Sequence, residues 1–171
     1  MEMEIVLKPI GFIRTGLSDE EVKGSWPYGV EAEIEVLEEF KDALEGIDGF
    51  SHLIVIFYMH KVTEEQRRVL KARHKRFIQR YGFKLEELPL VGVFCLDSPH
   101  RPNPIGLTIV ELIERRGRVL KVKGMDAFDG TPVLDIKPYT PSRCKVDLRF
   151  PAWYTRLMEE LKRRGVETDE F

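Results

Sequence analysis

The chain has few cysteines, no long apolar run and no basic N-terminal segment. Two cysteines, Cys95 and Cys144, in 171 residues exclude a disulfide-stapled fold, and they lack the spacing of metal ligands. Cys95 lies in an apolar stretch and is predicted to be a buried free thiol. No apolar run approaches the ~18 residues of a membrane span, and the opening Met1-Glu2-Met3-Glu4 is acidic, unlike a secretory signal. We therefore expect a cytoplasmic protein without a membrane segment.

The sequence also lacks the glycine-rich motif of common nucleotide-binding folds. No G-x-G-x-x-G pattern follows a predicted strand, which excludes a Rossmann-type site. The net charge of −2 argues against indiscriminate binding to nucleic acid. A hydrophobic fraction of 43% and the length predict one globular domain over residues 1–171.

The apolar pattern predicts more strands than helices. Predicted strands cover residues 4–13, 30–37, 53–59, 90–96, 107–115, 118–124 and 132–137. Predicted helices cover residues 38–44, 61–80 and 153–164. Because turns join most of the strands, we predict a mainly β fold: a single-domain β-barrel of mixed or antiparallel strands with an inserted basic helix and a C-terminal helical segment at about 151–165.

The predicted helix at 61–80 is strongly basic. It contains eight Lys or Arg and two Glu, among them Arg67, Arg68 and Lys71. Apolar residues recur at near-helical spacing, so the basic residues form its outer face. Such a face is either simply solvated or a surface that binds phosphates, and the same alternatives hold for the arginine cluster Arg115, Arg116 and Arg118.

A stiff polar loop occupies Ser98 to Gly106. Three prolines and one glycine restrict its backbone, and it carries His100, Arg101 and Asn103, which can donate hydrogen bonds to a charged or planar ligand. The flanking apolar segments predict that it joins two strands. It is either a loop that presents these side chains or an ordinary proline-rich turn.

A second polar motif follows the dipeptide Asp129-Gly130, which predicts a turn between two strands. In the exit strand, alternation places Val133, Asp135 and Lys137 on one face, and Tyr139 lies just beyond. These residues form either a salt-bridged hairpin or part of a site.

The chain resembles the TrmO-type (TsaA-like, YaeB-like) family of S-adenosylmethionine-dependent tRNA methyltransferases. The matching stretches are Ile10 to Arg14, Gly49 to Leu53, Ser98 to Gly106 and Asp129 to Tyr139, and the resemblance covers roughly residues 5–142. It implies a YaeB-like β-barrel, S-adenosylmethionine as cofactor and no metal. It also implies a homodimer that methylates N6 of threonylcarbamoyladenosine beside the tRNA anticodon.

The resemblance also implies roles for individual residues. The cofactor is expected to contact His60, Lys61, Asp97, Leu107, Lys123, Gly124, Met125 and Asp126. Leu107 and Met125 would enclose the adenine ring, and Lys61 would bind the methionine carboxylate. The expected substrate contacts are Arg101 and Asn103, with Arg67, Arg68 and Lys71 at tRNA phosphates. Asp135, Lys137 and Tyr139 are the expected catalytic residues, with Asp135 or Tyr139 as the base.

The chain departs from the family pattern at two places. Leu96-Asp97 stands where relatives carry Thr-Arg, so an anion replaces a cation. The Pro-Arg-Gln segment after the first strand is missing, and residues 17–27 contain three acids instead. Two further functions therefore remain open: a methyltransferase acting on another RNA or small molecule, and a non-catalytic module that binds S-adenosylmethionine or a nucleotide.

Overall fold

A computed structural model describes residues 3–168 as two compact units. The first, called the barrel unit, comprises Met1–Lys61 and Pro104–Arg143. The second, called the helical unit, comprises Val62–Asn103 and Cys144–Phe171. Within the described residues, no helix is both long and apolar enough to cross a bilayer.

Eight strands and four α-helices form the described part of the chain. The strands are β1 (Gly11–Arg14), β2 (Val30–Val36), β3 (His52–Tyr58), β4 (Lys71–Ala72), β5 (Val91–Gly92), β6 (Ile105–Arg116), β7 (Val119–Met125) and β8 (Pro132–Pro138). The helices are α1 (Asp19–Gly24), α2 (Glu64–Arg67), α3 (Arg76–Tyr81) and α4 (Ala152–Arg163). Short 3-10 turns lie at Glu38–Leu44, Leu85–Glu87, Val93–Cys95 and Pro141–Arg143.

Six strands close into an antiparallel barrel, which confirms the predicted fold class. Their order around the barrel is β1-β2-β7-β6-β3-β8. Strand β2 shows why the barrel forms. Ala32, Ile34 and Val36 alternate with glutamates, and these three apolar side chains are buried in the barrel core. The predicted strands at 30–37, 53–59, 107–115, 118–124 and 132–137 match observed ones. The predicted strand at 4–13 is shorter, because β1 pairs with β2 and β8 only from Gly11 onward.

A β-bulge changes which side chains of β8 share a face. The register shifts so that Phe57 of β3 faces Val133 while Ile56 faces Asp135. Leu134 is therefore an extra residue, and Val133 lies in the core. The predicted alternation that placed Val133 beside Asp135 is wrong for this reason, whereas Asp135 and Lys137 do share the outer face.

Antiparallel pairing brings distant segments to one end of the barrel. At this end, called the upper rim, β1, β3 and β7 finish while β2, β6 and β8 begin. Gly29 allows the closest approach there: it has φ +71, and a Cβ atom on it would lie 2.5 Å from the carbonyl carbon of Gly124. The upper rim therefore depends on glycine at position 29.

The helical unit differs most from its prediction. The predicted helix at 61–80 is wrong: α2 ends after one turn, Lys71–Ala72 form β4, and a second short helix, α3, follows. Strand β4 pairs with β5, and the amide of Val93 donates to the carbonyl of Leu70, so these residues satisfy their backbone groups across the pair rather than along a helix. The predicted strand at 90–96 is shorter than expected: only Val91–Gly92 form β5, because Val93–Cys95 turn into a 3-10 helix directly after it.

The helical unit has its own apolar core. Phe77 is buried and packs against Tyr81 and Phe83, with ring centroids 5.4 and 5.8 Å away. Helix α4 confirms the predicted C-terminal helix and buries Leu157 and Leu161. Cys95 is exposed, which corrects the predicted buried thiol: in its 3-10 turn, the neighbours Val93 and Leu96 take the buried positions.

The substitution Gly29→Ala tests the close approach at the upper rim. We expect it to lower the free energy of unfolding by about 3 kcal/mol or more, because the new methyl group would overlap backbone atoms at a positive φ. Gly46→Ala is the control: its φ is +82, but no atom lies within 4 Å of the added Cβ. The control should lose only roughly 1–2 kcal/mol from backbone strain. Urea unfolding measures both, and equal losses would contradict the close approach.

Candidate functional site at the upper rim

The upper rim gathers the predicted cofactor residues of the barrel unit. His60 and Lys61 follow the end of β3, and Leu107 is the third residue of β6. Lys123, Gly124 and Met125 end β7, and Asp126 follows them. Segments almost 70 residues apart in sequence thus supply one end of the barrel. The remaining predicted residue, Asp97, belongs to the helical unit.

Lys61 is already paired with a residue that the sequence analysis did not identify. Its ammonium nitrogen lies 2.7 Å from both carboxylate oxygens of Asp19, the first residue of α1. The same nitrogen lies 5.2 Å from the ring centroid of Phe128, and that of Lys23 lies 5.7 Å away. The Asp19–Lys61 pair is partly exposed, with 33% and 47% of the two side chains accessible. It therefore remains open to a ligand.

Two local devices fix α1, and with it Asp19. Ser18 and Glu21 form a reciprocal capping box at the start of the helix. The loop before it is tied down by Asp129, whose carboxylate accepts hydrogen bonds from the amides of Thr15 and Gly16 at 2.8 and 3.2 Å. These two amides lower the pKa of the Asp129 carboxyl, because they stabilise its charged form. Asp129 thus links the turn before β8 to the segment that carries Asp19.

His60 lies beside the only polar residue that is fully buried in the described chain. Its Nδ1 atom is 3.4 Å from the hydroxyl of Thr131, which is 2% exposed. Burial lowers the pKa of His60, and the charge of Lys61 lowers it further, while Asp19 opposes these effects. The lowered pKa favours the neutral form of His60, whose ring donates one hydrogen bond and accepts another.

Leu107 and Met125 differ in what they can offer a ligand. Leu107 is 62% exposed on the outer face of β6, as a residue that covers an aromatic ring must be. Met125 is fully buried in the barrel core. The side chain of Met125 is therefore not accessible from outside the barrel, and its expected contact with adenine stays a prediction.

The predicted catalytic residues lie along the outer face of β8. Ile56 of β3 pairs with Leu107 on one side and with Asp135 on the other, so these three side chains form one row. Two strand spacings separate Leu107 from Asp135, about 10 Å. Asp135 accepts from the amide of Ile136 at 2.9 Å and pairs with Lys137 at 2.6 Å. The salt bridge considered from the sequence is thus present within β8, but the hairpin is not, because β7 pairs with β2 and β6 while β8 pairs with β1 and β3.

Tyr139 lies far from the upper rim. Its amide donates to the carbonyl of His52, the first residue of β3, whereas Lys61 follows the end of that strand. Strand β3 runs from His52 to Tyr58, about 20 Å, and Lys61 lies in the turn beyond its end. Tyr139 and Lys61 of one chain therefore lie at opposite ends of β3.

The loop at Ser98–Asn103 uses its arginine internally. Arg101 donates to the carbonyls of Leu96 and Ser98 at 2.9 and 3.3 Å, and the carbonyl of Pro102 accepts from Arg67 at 2.9 Å. Both arginines thus hold the loop in shape. Asn103 is exposed and is the residue of this loop best placed to meet a substrate.

The other cations separate into engaged and available groups. Arg115, Arg116 and Arg118 pair with Asp48, Glu114 and Glu35 respectively. Arg68 and Lys71 are exposed, and neither side chain has a polar partner among residues 3–168. Arg67 is engaged by Glu64 and by the carbonyl of Pro102. Of the six cations that the sequence offers as phosphate contacts, Arg68 and Lys71 therefore remain free to bind phosphate within the described part of the chain.

Asp97 acts on neighbours within the helical unit. It is exposed, and its charge raises the pKa of Tyr154 after the larger effect of burial. It also opposes the burial that lowers the pKa of His74. Its contact with a cofactor stays a prediction. Among the described residues, no group of three or more His, Cys, Asp or Glu side chains is arranged to hold a metal ion.

Comparisons with known proteins agree on one family. Residues 22–144 match the family model of the tRNA-methyltransferase O N-terminal domain. A probable S-adenosyl-L-methionine-binding protein of Archaeoglobus fulgidus is 44% identical over 122 residues, which cover 71% of this chain and 30% of that protein. A tRNA (adenine(37)-N6)-methyltransferase of Escherichia coli is 40% identical over 104 residues, 58% of this chain and 40% of that protein. The chain thus spans less than half the length of either relative.

The solved structures give the same result for the fold. The crystal structure of TrmO from Pseudomonas aeruginosa superposes with a TM-score of 0.63 at 27% identity. The match covers 98% of this chain and 79% of that one.

The substitution Asp129→Asn tests the link between the β8 turn and α1. Because the folded-state pKa of this carboxyl lies below its ordinary value of 3.8, its contribution is present above that value and is lost as the pH falls through the folded-state pKa. We expect a loss of up to about 1 kcal/mol at neutral pH, since solvent screens the group, and a smaller loss near pH ~2, where more of the carboxyl is protonated. Urea unfolding at both pH values measures the difference, with the exposed Asp42→Asn as control. A loss that does not change with pH would contradict the link.

Proposed function

Since the chain belongs to the tRNA-methyltransferase O family, we propose that it transfers a methyl group from S-adenosylmethionine to tRNA. The observation that carries the proposal is the convergence of His60, Lys61, Leu107 and residues 123–126 on the upper rim. The family match at 22–144 spans all of these residues. The names of two relatives support the proposal, since one is named for binding S-adenosyl-L-methionine and the other for methylating tRNA.

The chemistry of the upper rim suits S-adenosylmethionine. The exposed side chain of Leu107 offers an apolar surface to the adenine ring, and the backbone of Gly124 to Asp126 can bond to its edge. Lys61 offers a cation to the carboxylate at the other end of the molecule. When bound, S-adenosylmethionine supplies a methyl group on a positively charged sulfur.

We propose N6 of threonylcarbamoyladenosine beside the anticodon as the methyl acceptor. This nitrogen is weakly nucleophilic, so the protein must align it with the methyl group and accept its proton as the new N–C bond forms. Asp135 is the better base within one chain, because it shares a row with Leu107 while Tyr139 lies far from the rim. To accept the proton, Asp135 must release Lys137, which then remains beside the substrate as a cation.

We propose a homodimer as the working form of the protein. The support for it is the position of Tyr139, which matches a family motif but lies at the opposite end of β3 from the Lys61 of its own chain, about 20 Å along that strand. A second copy could bring its Tyr139 to the upper rim of the first. The phenol would then orient the modified base rather than act alone.

Charge distribution supports an RNA substrate. The helical unit carries 15 Lys or Arg and 11 Asp or Glu, whereas the barrel unit carries 12 and 18. The net charge of the chain is small because the positive charge of the helical unit and the negative charge of the barrel unit nearly cancel. Polyanionic RNA would meet the helical unit, where Arg68 and Lys71 are exposed.

One observation favours the non-catalytic alternative. Asp97 places an anion where the resemblance leads us to expect a cation, which weakens binding of an anionic group. A protein that binds S-adenosylmethionine without transferring its methyl group would tolerate this change. The methyltransferase that acts on another RNA or small molecule is the third candidate, and the assay below separates all three.

The function is tested by calorimetry with S-adenosylmethionine and by transfer of its labelled methyl group to tRNA containing threonylcarbamoyladenosine. We expect a micromolar dissociation constant and label at N6 of the modified base. The control is the double variant Asp135→Asn, Tyr139→Phe, which should bind the cofactor normally but transfer no label. Binding without transfer would favour the non-catalytic module, label on another acceptor would favour a different methyltransferase, and no binding would contradict the proposal. Transfer by the double variant would exclude both residues as the base.

Charge reversal in the helical unit tests the RNA surface. The double variant Arg68→Glu, Lys71→Glu should weaken tRNA binding about tenfold or more and reduce the salt dependence of log K by about 2, because two phosphate contacts are lost. Binding of S-adenosylmethionine should not change. The control is Lys41→Glu, Lys121→Glu on the barrel unit, which changes the net charge by the same amount. Filter binding at several salt concentrations gives the slopes, and equal effects in both variants would exclude a local surface.

A further inference from the structure

We propose that Asp19 is a specificity-determining residue of the upper rim that binds the ammonium group of the amino-acid end of S-adenosylmethionine, while Lys61 binds its carboxylate. This inference rests on the proposed function. Asp19 lies outside residues 22–144, over which the chain matches the family model.

The geometry of the pair carries the inference. Lys61 approaches both oxygens of Asp19 at 2.7 Å, so the two opposite charges are held side by side. An α-amino acid also presents adjacent opposite charges. Placed against the pair, its carboxylate would face Lys61 and its ammonium group would face Asp19, giving four alternating charges. Each charged group then gains a second partner without losing the first.

The pair is available for this exchange. Both side chains are partly exposed, and an exposed ion pair contributes little to stability, so rearranging it costs little. The ring of Phe128 covers one side of Lys61 and limits the directions from which a ligand carboxylate can approach. The position of Asp19 is fixed by two sets of hydrogen bonds. One is the capping box between Ser18 and Glu21, and the other joins the preceding loop to Asp129.

Neighbouring acids do not serve as well. Glu20 is 83% exposed and pairs with Lys23 rather than with Lys61. Asp129 is occupied by two backbone amides. Asp19 is thus the acid that contacts Lys61, and Lys61 is the cation proposed to bind the carboxylate of the ligand.

The charge of Asp19 also determines which ligands are rejected. A purely anionic group at Lys61 would be repelled by Asp19, and a neutral group would leave the pair unchanged. Only a zwitterionic group gains from both charges. The pair therefore selects S-adenosylmethionine and its product S-adenosylhomocysteine over nucleosides that lack the amino-acid end.

The test compares two ligands on the full chain by calorimetry. S-adenosylhomocysteine has the zwitterionic end and methylthioadenosine lacks it. We expect Asp19→Asn to weaken S-adenosylhomocysteine roughly tenfold or more, about 1.4 kcal/mol, and to change methylthioadenosine less than about twofold. The control Glu20→Gln, which removes the neighbouring charge on the same helix, should change neither. Asp19→Glu keeps the charge and should recover part of the loss.

Each other outcome would overturn the inference in a recognisable way. Tighter binding of S-adenosylhomocysteine by Asp19→Asn would mean that Asp19 competes with the ligand for Lys61. Equal weakening of both ligands would mean that Asp19 only supports the loop, and the partial recovery by Asp19→Glu guards against a general folding defect. If the wild type binds neither ligand, the proposed function fails together with the inference. If the wild type binds both and Asp19→Asn has no effect, only the inference fails.

Discussion

Closure of the six-stranded barrel is the constraint on which the rest of the structure depends. Each strand is antiparallel to both neighbours, so three strands end and three begin at each rim. This arrangement brings the residues after β3 next to those that end β7 and begin β6, although they are far apart in the sequence. Backbone hydrogen bonds that run around the whole barrel hold these strand ends in place. The side chains at the rim therefore need little support of their own.

The segment between β1 and β2 shows how a loop acquires a fixed position on such a rim. It cannot rely on a strand partner, and it uses two carboxylates instead. Asp129 binds the amides at the loop entrance, and Asp19 pairs with Lys61 at the start of α1. A tight contact at Gly29 fixes the loop exit against β7. The entrance, middle and exit of the loop are thus each held by a different kind of interaction. The Asp19–Lys61 ion pair is the one that rearranges most easily, and it lies at the candidate ligand site.

The barrel could be predicted from the sequence, but several features of the site could not. Strands such as β2 alternate apolar and charged residues, and this pattern survives because the barrel buries one face. The helix predicted at 61–80 failed because the spacing of a few apolar residues cannot show that Leu70 bonds to Val93. The bulge at Leu134 gives no signal in the pattern, since it depends on the register with β3. Asp19 was missed because its partner Lys61 lies 42 residues away.

The two departures from the family pattern have different structural consequences. Asp97 lies in the helical unit and places a negative charge near Tyr154 and His74, so its effect begins within that unit. The segment at 17–27 belongs to the barrel unit and adds an acid beside Lys61 without removing that cation. Adding an anion next to a cation narrows the range of ligands, because a ligand must then match both charges. Losing a cation only weakens the binding of an anionic ligand group. Pairing a cation with an acid makes the site select ligands that carry both charges. Under the role proposed for Asp19, the acidic segment therefore changes the selectivity of the site, while the arginine of the missing Pro-Arg-Gln segment is lost.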